Sequence, residues 1–195
     1  MPRPLIYSFL GVVVSCGPFT ANAELTAADS AGGARTLMIT VSSAAFDNNN
    51  TIPLVYTGQG DDHSPPLAWE GAPDDAKEFA LICDDPDAPS AEPWVHWVIY
   101  GISATVHALP EGLAKTAQLT TPLAVKQGKN SWPSGSTIGY RGPMPPPGKL
   151  HHYHFKLYAL DTKLDLAPSA TKDELLKAIQ GHVLAQGELI GTYQR

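Results

Sequence analysis

Apolar residues recur along this chain mainly with a period of two, the spacing of strands that bury one face. Leu37, Ile39 and Val41 alternate in this way, as do Ile52, Leu54 and Tyr56. Phe79-Ala80-Leu81-Ile82-Cys83 is apolar throughout, which predicts a central strand covered on both faces. Trp94 to Tyr100 is β-branched and aromatic and predicts another strand. Strict alternation puts Trp94, His96 and Val98 on one of its faces and Val95, Trp97 and Ile99 on the other. In residues 151–160, His151, Tyr153, Phe155 and Leu157 share an inward face, and His152, His154, Lys156 and Tyr158 look outward. The period changes once. Thr171-Lys172-Asp173-Glu174 is a capping box ahead of Leu175, Leu176, Ile179 and Val183, predicting one amphipathic helix over residues 172–186, weakened at Gly181 and stopped at Gly187. Residues 188–193 then predict a last short strand.

Eighteen Pro and 17 Gly bracket these runs, as expected of an all-β domain. The 195 residues suit one domain, and 43% hydrophobic content supplies a single sizeable core. With a formal charge of −6 and scattered Lys and Arg, the basic footprint of a nucleic-acid partner is missing. Residues 1–23 read as an export signal: Arg3, an apolar run from Leu5 to Val14, then Ala21-Asn22-Ala23 as cleavage site. The run is shorter than the roughly 20 residues that span a bilayer. The expectation is a mature domain of residues 24–195 in the periplasm or secreted. Val13-Val14-Ser15-Cys16 offers a competing lipoprotein box, which would leave Cys16 acylated. Cys83, in its apolar run, reads as a buried, inert thiol.

Asp85-Pro86-Asp87-Ala88-Pro89 follows the predicted central strand, and its prolines stiffen the loop that holds both carboxylates. Taken alone it is a polar turn. Beside His96 and His151, the two carboxylates become supports that orient and charge imidazoles, leaving the second ring nitrogen of each to donate. Tyr140-Arg141-Gly142-Pro143-Met144-Pro145-Pro146-Pro147-Gly148 leads into the strand at His151 and predicts a rigid pocket rim rather than a polyproline ligand.

These motifs in this order resemble the phosphatidylethanolamine-binding protein family, in its bacterial branch of Raf-kinase-inhibitor-like proteins. The similarity rests on Asp-Pro-Asp-Ala-Pro, Trp94-Val95-His96-Trp97, Gly142-Pro143-Met144-Pro145-Pro146 and His151-His152-Tyr153-His154-Phe155, and runs from about Ser42 to the C-terminus. It implies an antiparallel β-sandwich with a few peripheral helices and a small anion pocket at one end. It also implies ligand-site positions at Asp85, Asp87, Pro89, His96, Pro145, His151 and Tyr153, with loop backbone at Met144. The animal and plant members carry Arg where His152 stands and Gly where Met144 stands. The expected ligand is a small phosphorylated molecule or a phospholipid head group, bound without turnover and with no cofactor, and a head group implies peripheral membrane contact. The resemblance further suggests regulation of a partner protein.

Two rival chemistries use the same residues. His152 and His154 share a strand face and could join Asp85 and His96 around zinc, although His151 and Tyr153 lie on the opposite face. His96 or His151 could serve as general base in phosphoester hydrolysis, but the motifs bring no serine or cysteine nucleophile beyond a poorly placed Ser90.

Overall fold

The computed structural model describes residues 37–195, besides Met1. The predicted export signal, its cleavage point and Cys16 lie outside the described residues. In chain order the strands are β1 (Leu37–Met38), β2 (Thr40–Ser42), β3 (Asn50–Thr51), β4 (Leu67–Glu70), β5 (Glu78–Asp85) and β6 (Trp94–Ser103). They continue as β7 (Ala108–Leu109), β8 (Gln118–Leu119), β9 (Val125–Gln127), β10 (His151–Leu160) and β11 (Val183–Tyr193), with helix α1 (Lys172–Ile179) between the last two. The large sheet runs β1-β11-β10-β5-β6-β9-β8, with β3 also alongside β11. A small sheet runs β2-β4-β7. Pairing is antiparallel except where β1 and β3 meet β11.

The two sheets enclose the main core. Val41, Leu67, Trp69 and Leu109 from the small sheet pack with Phe79, Leu81, Trp97, Phe155, Leu157 and Leu189 from the large one. The other face of the large sheet, carrying Ala80, Ile82, Val98 and Tyr100, is covered by Leu175 and Ile179 of α1 and by Ala170. β5 is therefore buried along its whole length, which is why its sequence is apolar without alternation. The expected all-β sandwich is observed; among the described residues its helical part is α1 and one 3-10 turn.

The elements depart from the expected pattern in four places. Ile52, Leu54 and Tyr56 do not form a strand: Pro53 cannot donate to a ladder, and Leu54–Tyr56 winds into the 3-10 turn, with Tyr56 N–H on the Pro53 carbonyl at 3.0 Å. Helix α1 stops at Ile179 rather than reaching residue 186, because Gly181 turns the chain back at a φ of +81°. The residues that follow form an 11-residue strand instead of a short one.

The fourth departure concerns His96. Cys83 pairs with Trp97 but Asp84 pairs with Val95, so β6 carries one extra residue at His96, a β-bulge. Alternation would send His96 toward α1 with Val98. The bulge re-aims it, and His96 lies against Tyr153 on the inner side, the same side as Trp97.

Candidate functional site

Antiparallel pairing brings the end of β5 beside the beginnings of both its neighbours. Asp85 lies opposite Trp94 on β6, and Asp84 opposite His154 on β10. Three sequence-distant segments thus converge at one end of the sandwich, roofed by the loop of residues 128–150. There a cavity of about 240 Å³ opens. Asp85, Pro89, His96, Met144, Pro145, His151 and Tyr153 line it, with Ala88, Ser90, Trp94, Trp132 and Pro146. Its volume falls below the roughly 300–1,000 Å³ of sites for drug-sized molecules.

Asp87 is not part of this wall, contrary to expectation. Its carboxylate accepts from Lys149 Nζ at 2.9 Å and, on the other oxygen, from the His152 backbone N–H at 3.0 Å and ring Nδ1 at 2.7 Å. The Lys149 hydrogen bond and those from His152 hold its carboxyl well below the usual range. Asp87 therefore staples the loop after β5 to the start of β10 from outside. Asp85 does the inner work alone. It is buried, accepts the His151 Nδ1–H on Oδ2 at 2.7 Å, and accepts the Asp87 backbone N–H on Oδ1 at 2.8 Å. This fixes the His151 ring and leaves Nε2 as the nitrogen available to the cavity.

The expectation that a carboxylate also orients and charges His96 is wrong. Its Nδ1–H donates to the Arg141 carbonyl at 2.5 Å. Burial pulls its pKa down to about 4, against the raising effects of that carbonyl and of Asp85, Asp62 and Asp84. The folded protein holds a neutral imidazole at position 96. The Trp132 and Tyr153 rings meet it edge-on, at centroid distances of 4.9 and 5.0 Å.

Tyr153 is 1% exposed, and its hydroxyl has no hydrogen-bond partner among the described residues. Burial, then the nearby Asp85, raises its pKa, so the phenol keeps its proton. An orphaned donor of this kind costs about 1–3 kcal/mol and here belongs to a residue lining a cavity. Trp132 is a lining residue that the sequence pattern does not single out. It packs edge-on to Trp94 at 5.5 Å and carries the Arg141 guanidinium over its ring at 4.7 Å. Nothing periodic surrounds it in sequence; its only signal is a Trp inside a Gly-, Pro- and Ser-rich loop.

The site can therefore donate from Tyr153, donate from His151 Nε2 when that ring is protonated, and accept at His96. Among the described residues, no Lys or Arg lines it. His152 is drawn to Asp87 and His154 to Glu188 at 2.8 Å, so these two imidazoles do not converge with Asp85 and His96. Ser90 Oγ donates to the Glu92 carbonyl at 2.7 Å rather than to an imidazole. Cys83 is buried, which pushes its thiol pKa well up.

Comparison with known proteins agrees with this fold. A UPF0098 protein of Methanothermobacter thermautotrophicus is 50% identical over 151 residues, covering 77% of this chain and 95% of its own. Among solved structures, a putative phosphatidylethanolamine-binding protein homolog, CT736 from Chlamydia trachomatis, is similar with a TM-score of 0.71 and 36% identity, over 82% of this chain and 99% of its own. YbcL of E. coli, described as a member of the mammalian PEBP family, gives a TM-score of 0.72 and 30% identity, over 80% of this chain and 98% of its own. The profile of the family described as phosphatidylethanolamine-binding protein matches residues 42–194, a span that takes in every residue of the cavity, and the chain belongs to that family.

Proposed function

We propose that the cavity binds a small phosphorylated ligand or a phospholipid head group and holds it without transforming it. The observation that carries this reading is the buried Tyr153 hydroxyl, a donor without a partner among the described residues, on a residue that lines a pocket with the His151–Asp85 pair. A phosphate oxygen would satisfy that donor, and His151 Nε2 supplies a second one when protonated. The apolar walls of Trp94, Trp132 and Met144 suit the carbon part of a head group. The name of the family and of the Chlamydia structure points to the same ligand chemistry. Absence of turnover is supported by the placement of Ser90 and Cys83, neither of which is a nucleophile activated by a neighbouring base. The export signal read in residues 1–23 would put this binding in the periplasm or outside the cell.

The test is thermal. A ligand at a hundredfold its Kd stabilises the folded state by about 2.7 kcal/mol, which raises Tm by roughly 5–10 °C for a domain of this size. Phosphate or phosphoethanolamine should produce such a shift in the wild type. Asp85→Ala should abolish it, and so should Tyr153→Phe, which removes only a hydroxyl that has no partner among the described residues and should leave the unliganded protein at least as stable. No shift in the wild type at millimolar ligand would end the reading. So would repurified protein with phosphatase activity that is lost in His151→Ala.

A further inference from the structure

The backbone of Arg141 grips His96 twice: its N–H donates to the His96 carbonyl at 2.9 Å, and its carbonyl accepts from His96 Nδ1 at 2.5 Å. A carbonyl has no proton to give, so the ring proton sits on Nδ1, and a neutral ring then presents only a lone pair at Nε2. Among the described residues Nε2 has no partner, and the cavity is what this ring lines. Of the ionisable groups around it, the charged ones are engaged elsewhere, and the Tyr153 hydroxyl makes no hydrogen bond to Nε2. Asp85 of β5 is engaged by His151 of β10, and Arg141 lies over Trp132. Asp62 pairs with Lys115, and Asp84 with Lys156 and Lys172. Tyr153 of β10 keeps its proton. None of these supplies the positive charge or the donor that Nε2 lacks.

We propose that His96 Nε2 is a specificity-determining acceptor, and that the cavity takes a phosphomonoester in its monoprotonated form. The P–OH donates to Nε2 while the Tyr153 hydroxyl donates to an unprotonated oxygen of the same group. This rests on the phosphate-binding reading above and narrows it to a monoester in one protonation state, setting aside the diester of an intact phospholipid. A tetrahedral anion with no hydroxyl places an oxygen lone pair against the Nε2 lone pair in a desolvated site, which is a repulsive element as well as a missing bond. Among the described residues the lining holds no Lys or Arg, which points the same way, since it favours one negative charge over two.

Three dianions of similar shape separate the donor from the charge. Near pH 8, inorganic phosphate keeps one P–OH, whereas sulfate and methyl phosphate, a monoester with second pKa of about 6, have none. The full-length protein is titrated with each by calorimetry. Phosphate should bind at least about tenfold more tightly than either of the others, and methyl phosphate should gain at least about tenfold on going to about pH 5, where its hydroxyl returns. His96→Gln, whose terminal amide can donate, should bring sulfate within about threefold of phosphate. Nitrogen-15 NMR should find His96 in its Nδ1–H form throughout this pH range, independently of any variant.

Equal binding of phosphate and sulfate by the wild type would overturn the acceptor role while leaving an oxyanion pocket in place. Binding of neither would overturn both readings. An imidazolium, or an Nε2–H form, at position 96 would overturn this one alone.

Discussion

At the scale of single residues, the burial of His96 as a neutral ring has a consequence for stability. Its pKa in the folded chain is about 4, against 6.5 for an unperturbed histidine. Between those values the unfolded chain binds the proton and the folded chain does not, so stability falls as pH falls through that window and is fully present above it. Each pH unit is worth up to about 1.4 kcal/mol. His96→Asn keeps a donor for the Arg141 carbonyl but cannot titrate. In urea unfolding at about pH 7 and about pH 4.5, the wild type should therefore lose on the order of 2 kcal/mol more than the variant. Identical losses would mean that His96 is already charged in the folded state. The sequence could suggest that His96 belongs with Asp85, because both sit near Pro89 and on adjoining strands. It could not reveal the charge state. That depends on which acceptor reaches Nδ1, and the acceptor is a backbone carbonyl 45 residues away, which no side-chain pattern records.

Among the elements, helix α1 shows where sequence is decisive and where it is not. Its beginning was legible because the capping box is local: Thr171 Oγ1 accepts the Glu174 backbone N–H at 3.2 Å, and Glu174 Oε2 accepts the Thr171 N–H at 2.7 Å. Its end was not, because Val183 continues the helical spacing in sequence while Gly181 at positive φ breaks it in space. Strand β11 was underestimated for a related reason. Its inward positions include Ala185, Gly187 and Gly191, too small to register as an apolar stripe. The bulge at His96 was likewise invisible, since it is defined by the register of β5 against β6. The capping box is a quantitative claim as well. Thr171→Ala should cost about 1 kcal/mol and Thr171→Ser much less. Because Leu175 and Ile179 cover the outer face of the large sheet, the loss should appear in global unfolding rather than as fraying of α1. Unchanged chemical denaturation in Thr171→Ala would show that the cap contributes nothing to the fold.

For the whole molecule, what mattered most for the site was the meeting of β5, β6 and β10 at one end. Their strong apolar and aromatic runs made all three strands legible, and Asp85, His96, His151 and Tyr153 with them. The roof over residues 128–150 was not, because a loop without period gives no reason to bring Trp132 onto His96. The opposite need, room for backbone, operates where the two sheets are joined. Between β1 in the large sheet and β2 in the small one the chain passes through Ile39, whose N–H donates to the Gln186 carbonyl at 2.7 Å. A Cβ on Gly187 would lie 2.1 Å from the Ile39 carbonyl oxygen and 2.9 Å from a Val41 methyl. The first obstacle is backbone and cannot rotate away, so Gly187→Ala must push the crossover off β11. We expect a loss of about 1–3 kcal/mol, read as a lower denaturation midpoint. Gly187 pairs with Leu157, six residues along β10 from His151, or roughly 20 Å at the usual rise of a strand. The phosphate affinity of Gly187→Ala should therefore match that of the wild type under conditions where both are folded. Full stability would show that the crossover gives way freely. A loss of affinity with stability intact would mean that the joint between the sheets and the cavity move together.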